Sequence, residues 1–119
     1  MEDVTDPYFT STSKTYKAKL GTSVTFHCQV ENIGTSTLIW KKDNRIISAG
    51  QVVIRKDKRF SLAGYNLTMH SVQVKDEGEY ICEVETYTEP IQQMNLLTVL
   101  IPAQVEPNPQ VVFYHLMLS

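Results

Sequence analysis

Asp76-Glu77-Gly78-Glu79-Tyr80-Ile81-Cys82, read as DEGEYIC, sets a Gly and a Tyr at fixed distances before one of only two cysteines in the chain. In EYICEVET that follows from it, Tyr80, Cys82 and Val84 fall on one side of an alternating strand. The other cysteine lies in GTSVTFHCQV, where Val24, Phe26, Cys28 and Val30 alternate with Ser23, Thr25, His27 and Gln29, the period of a half-buried strand. Both Cys28 and Cys82 therefore occupy inward positions. Two cysteines allow one disulfide, and a bridge between facing sheets needs inward cysteines on facing strands. Sequence alone leaves that pairing open. If formed, the bond implies an oxidising compartment.

Working outward, TLIWKK puts Leu38 and Trp40 inward, and Asp43-Asn44 signals a turn before RIISA. QVVI leaves room for a short edge strand, and Phe60 and Leu62 begin another beyond the charged turn RKDKR. YNLTMHSV sets Leu67 and Met69 against Asn66, Thr68 and His70. QMNLLTVLI directs Leu97, Val99 and Ile101 inward. About seven to nine short strands with frequent turns and no helical stretch predict an all-β antiparallel sandwich or barrel. Residues 1–13, rich in Ser, Thr and Asp, read as a flexible N-terminal tail, 14–101 as the β domain, and 102–119 as a Pro-containing linker and truncated C-terminal tail. In that tail VVFYHLMLS is apolar, too short to span a membrane, and has no obvious pairing partner.

The 119 residues suffice for one domain, and 42% hydrophobic with 20% charged residues is ordinary for a globular fold. Eleven Lys and Arg against 13 Asp and Glu give no basic excess that would point to nucleic acid or an anionic membrane. The amino terminus MEDVTDPYFTSTSK has none of the roughly 7–15 apolar residues of a signal peptide. That conflicts with an oxidising compartment unless the chain is a fragment, a processed piece or an incomplete gene model.

Cys28, Trp40 and D-x-G-x-Y-x-C resemble the signature of the immunoglobulin superfamily. The resemblance implies an immunoglobulin-like antiparallel β-sandwich of the V-like or intermediate set with one inter-sheet disulfide, Cys28 to Cys82. It further implies that Trp40 packs on the bridge, that the Tyr80 hydroxyl returns to backbone upstream, that Gly78 permits a tight bend, and that Asp76 pairs with Arg59. The last strand lacks the F-G-x-G bulge of antibody variable domains. Over residues 14 to 108 the chain looks like the first immunoglobulin domain of neuronal recognition proteins of the lachesin, Klingon, IgLON and Dpr-interacting group.

Motifs for chemistry are sparse. His27 and His70 point outward, His115 lies in the tail, and no pair has metal-ligand spacing. The expectation is no enzyme, no metal and no cofactor. Asn66-Leu67-Thr68 is an N-glycosylation sequon on an outward position.

Outward positions are asymmetric between the sheets. On one they are Ser, Thr, His, Gln and Asn. On the other they include Ile39, Lys41, Ile81, Glu83, Met94 and Leu96, with one of Ile46 and Ile47 also outward and both counted as candidate partner-binding residues. An apolar patch on a solvated face marks an interaction site. Ile81 is expected as the central anchor, with Glu83, Lys41 and residues 51–53 as the rim. The resemblance implies the same surface, the C, C′, F and G face, and as partner another immunoglobulin-superfamily protein or a second copy of this chain. The expected role is thus cell-surface or extracellular adhesion and recognition. The alternatives are a structural module of an intracellular filament protein, or a soluble truncated isoform acting as a decoy.

Overall fold

A computed structural model describes residues 6–102 and 114–116. Twelve strand segments are present among them: β1 Tyr8–Phe9, β2 Thr15–Lys19, β3 Val24–Phe26, β4 Val30–Glu31, β5 Leu38–Lys42, β6 Arg45–Ala49, β7 Val52–Val53, β8 Phe60–Ala63, β9 Asn66–Met69, β10 Gly78–Val84, β11 Ile91–Pro102 and β12 Tyr114–Leu116. A single 3-10 turn, Val74–Asp76, precedes β10. The larger sheet runs β12-β11-β10-β5-β6-β7, with β2 parallel to β11, and faces a sheet of order β3-β9-β8. Val52–Val53 is the short edge strand for which QVVI left room.

Alternating side chains from both sheets fill the interior, as the period-two pattern requires. Phe26, Trp40, Ile47, Leu67, Met69, Tyr80, Val84 and Val99 are fully buried. Cys28 and Cys82 are bonded across the sheets and buried. Trp40 is the register partner of Cys82, and its indole N–H donates to the Tyr65 carbonyl at 3.0 Å. The Phe26 ring stacks on Tyr80 with centroids 4.5 Å apart. Burying Tyr and Trp requires such partners for their polar atoms.

The heptad that opened the reading acts as a corner. The Tyr80 hydroxyl donates to the Asp76 carbonyl at 2.5 Å, closing the turn just before β10. Gly78 has φ of +143°, a conformation that L side chains rarely adopt. The Asp76 carboxylate is gripped bidentately by Arg59, at 2.7 and 2.9 Å, and accepts the Gln73 backbone N–H at 2.6 Å. At the same end of the sandwich, Asp43 and Asn44 both have positive φ, which gives the β5–β6 hairpin the backbone twist that matches its strands.

Three expectations need correction. First, residues 1–13 are not wholly a tail. Pro7 is buried, and Tyr8–Phe9 pairs antiparallel with Val30–Glu31. Next to this pairing, Thr10 donates its N–H to the Gln29 carbonyl at 2.9 Å, and the segment that follows meets two buried amides on inward positions of β11, Gln93 and Asn95, each of which must be satisfied. Gln93 accepts from the Ser11 hydroxyl at 2.5 Å and donates to the His27 carbonyl at 3.1 Å, while Asn95 accepts the Lys14 backbone N–H at 3.3 Å. The first strand is tied down where it crosses between sheets.

Second, GTSVTFHCQV is not one strand. Between β3 and β4, side chains replace strand partners: Tyr16 takes the His27 N–H, Asn66 the Cys28 N–H and Ser11 the Gln29 N–H. Third, Ile47 is fully buried and does not reach the outer face. Trp40 pairs with Ser48 and Lys41 with Ile46, so Ile47 is the extra residue of a β-bulge, and the extra residue turns both Ile47 and Ser48 into the core. Ile46 alone faces out.

Beyond the domain core, Tyr114–Leu116 pairs antiparallel with Leu100–Pro102 at the end of β11, which gives these three residues of VVFYHLMLS a backbone partner; the rest of that stretch lies outside the described residues.

Candidate functional site

The outer face of the β11-β10-β5-β6-β7 sheet is built row by row from its register. One row reads Ile46, Lys41, Ile81, Met94. The next reads Val52, Ala49, Ile39, Glu83, Gln92. Leu96, opposite Glu79, continues the apolar surface toward β2. Met94, Leu96 and Ile46 are 45%, 48% and 42% exposed, and Val52 is exposed on the edge. Ile39 and Ile81 are half-buried. Hydrogen-bonded neighbouring strands hold these side chains in place, so presenting them costs less conformational entropy than presenting them on a loop.

A polar clamp sits inside this apolar face. Glu83 accepts from the Lys41 ammonium at 3.1 Å and from the Gln92 amide at 2.7 Å. The Gln92 hydrogen bond, with Lys41 beside it, holds the Glu83 carboxyl below its ordinary pKa against the opposing effect of burial. Glu83 is buried and Lys41 half-buried, so the charge pair also offsets the cost of desolvating the carboxylate. Its larger consequence is that neither charge is left unmatched on the face. Gln92, which the sequence reading passed over, is the third member. Parity alone could have found it, since it shares the outward side of β11 with Met94 and Leu96.

The opposite sheet face is polar. Thr25 and Thr68 bond each other at 2.8 Å, and His70 sits between Ser23, at 3.0 Å, and Ser61, at 3.4 Å. His27 and His70 are both exposed, as parity placed them. Among the described residues no group of His, Cys, Asp and Glu could hold a metal ion, and His115 is described only in its backbone. Asn66 is half-buried at the start of β9, with Oδ1 accepting the Cys28 N–H at 3.2 Å.

Fold and face together define a disulfide-stapled β-sandwich that presents one apolar sheet surface and one polar one. The sequence profile of the immunoglobulin domain family matches residues 6–86, and the chain belongs to that family. Human Roundabout homolog 2 is 33% identical over 92 residues, covering 76% of this chain and 6% of that protein. Neuronal cell adhesion molecule from Gallus gallus is 29% identical over 114 residues, covering 93% of this chain and 8% of that protein. The chain thus spans less than a tenth of either relative.

Among solved structures, Dpr11 IG1 bound to DIP-gamma superposes with a TM-score of 0.79 at 20% identity, over 88% of this chain and 56% of the other. The RIG-5 IG1 homodimer gives 0.73 at 24% identity, over 80% of this chain and 98% of the other. The titin I-band fragment I67–I69 gives 0.67 at 20% identity, over 82% of this chain and 34% of the other. At these identities the likeness speaks for the fold.

Proposed function

We propose that this domain is a cell-surface or extracellular recognition module that binds another immunoglobulin-family domain, or a second copy of itself, through the outer face of β5, β6, β10 and β11. The observation that carries the reading is the asymmetry between the sheets: Ile46, Ile81, Met94 and Leu96 surround a self-neutralised Lys41–Glu83–Gln92 clamp, while the other face is Ser, Thr and His. Apolar residues with a neutral polar centre suit burial against a similar surface, because no unpaired charge is desolvated. Support by analogy comes from the solved relatives, which include an IG1 bound to a DIP and an IG1 homodimer. Asn66 as a glycan acceptor fits this arrangement, because β9 lies in the opposite sheet and a glycan there leaves the binding face uncovered.

Likeness to the titin fragment favours a second reading, a structural module in a filament. The two differ in a simple experiment. The native chain, produced through a secretory host, is run over a panel of immunoglobulin-family ectodomains that includes itself, alongside sedimentation across a concentration series. A recognition module is expected to bind at least one panel member with Kd of about 100 µM or tighter, in the range of specific contacts. Binding to none of the panel, with a monomer throughout, overturns the proposal and leaves the filament reading.

A further inference from the structure

The near-neutral composition conceals a segregation of charge. The β5–β6 turn, the segment between β7 and β8 and the 3-10 turn meet at one end of the sandwich, and a cavity of about 220 Å³ there is lined by all three arginines of the chain with Lys42 and Lys75. A second hollow continues from it, sharing Arg55, Asp57 and Phe60 and adding Lys56 and Lys58.

Carboxylates do not cancel this charge. Asp57 and Asp76 are both committed to Arg59, and Asp43 to Lys42. The ion pairs among the described residues engage Lys41, Lys42 and Arg59, and none involves Arg45, Arg55, Lys56, Lys58 or Lys75. Arg55 is fixed in place, donating to the carbonyls of Lys42 and Arg45 at 3.4 and 3.2 Å. Lys56, Lys58, Arg45 and Lys75 are exposed.

We infer that this basic groove binds a sulfated polysaccharide chain. Two adjoining hollows that share Arg55 and together carry Lys42, Arg45, Lys56, Lys58, Arg59 and Lys75 offer cations to a polyanion longer than a single ion. Sulfate groups are fully ionised at neutral pH and match the planar fork of Arg as well as the point charge of Lys. The aromatic residues at the groove, Phe60 and Tyr80, are buried, so none is offered for stacking against nucleic-acid bases. A disulfide-bonded domain also occupies the oxidising compartment in which such chains are found. The inference is independent of the sheet face described above.

The test uses the full chain from a secretory host and a heparin octasaccharide, titrated at several salt concentrations. The native chain is expected to bind at about 150 mM salt, and Lys56→Glu with Lys58→Glu to weaken binding at least tenfold. The plot of log affinity against log salt should flatten by about two charges' worth of released counterions. Lys14→Glu with Lys17→Glu, the same charge change on β2 and its approach, should alter affinity less than twofold. Lys56→Ala with Lys58→Ala serves as a second pair should the reversal disturb folding. No binding by the native chain, equal losses in both Glu variants, or equally tight binding to phosphatidylserine vesicles or duplex DNA would overturn the inference.

Discussion

The Cys28→Ala, Cys82→Ala variant is expected to be about 4 kcal/mol less stable than the native chain. The bridge closes a loop of 54 residues, and chain-entropy estimates for such a loop give roughly that value. Both cysteines are fully buried beside Trp40 and Phe26, so the two Ala residues also leave space that the core fills only partly. Against a total of roughly 5–15 kcal/mol for a small domain, such a loss leaves little margin. Urea denaturation should show the midpoint falling by more than about 1.5 M. A midpoint within about 0.3 M of native would mean that the packing of the two sheets, and not the bridge, carries the stability.

The second large effect is expected at Arg59. Its guanidinium serves Asp57 and Asp76 together and also donates to the Ser71 carbonyl, joining the start of β8 to the corner before β10. Burial would raise the Asp76 carboxyl, but the Arg59 hydrogen bonds and the Gln73 N–H outweigh it and hold Asp76 below its ordinary pKa of 3.8. The Asp57 carboxyl is lowered chiefly by the same guanidinium.

Arg59→Ala leaves the Asp76 carboxylate buried without its partner, at an expected cost of about 3 kcal/mol at pH 7. The sign with pH follows from the lowered pKa. The stabilisation is fully present above the unfolded carboxyl pKa near 4, and it is lost as pH falls through the lower folded value. Thermal melts should therefore show the native chain destabilising below about pH 4, with a shallower fall in Asp76→Asn. Parallel pH profiles for native and Asp76→Asn would contradict the assignment.

Much of this architecture was legible because β-strands alternate. Cys28, Trp40, Tyr80, Leu67 and Val99 are buried where parity put them, and Met94 and Leu96 are exposed where parity put them. Alternation fails where a strand gains a residue. The bulge opposite Trp40 and Lys41 shifts the phase of β6, and nothing in RIISA marks which Ile is the extra one. The first strand escaped notice for another reason: Tyr8–Phe9 is only two residues long and has no period to read.

Its anchor was nonetheless visible at a distance. Placing Met94, Leu96 and Thr98 outward forces Gln93 and Asn95 inward, and two buried amides demand partners, some of which the N-terminal segment supplies through Ser11 and Lys14. The basic groove was hidden because Lys42, Arg45, Arg55, Lys58 and Lys75 are scattered along the sequence and converge only through the fold.

The central claim, that the outer face of β5, β6, β10 and β11 is the recognition surface, is tested most directly by one affinity comparison. Binding to the tightest immunoglobulin-family partner, this chain itself included, is measured for the native protein, Ile81→Asp and Thr68→Asp. Ile81 lies in the middle of its row between Lys41 and Met94, and Thr68 lies on the opposite sheet. The expected result is a loss of at least about 100-fold for Ile81→Asp, near the 2–4 kcal/mol of an interface anchor, with Thr68→Asp unchanged within about threefold and all three proteins folded. Native affinity in folded Ile81→Asp, or a greater loss in Thr68→Asp, would contradict the claim.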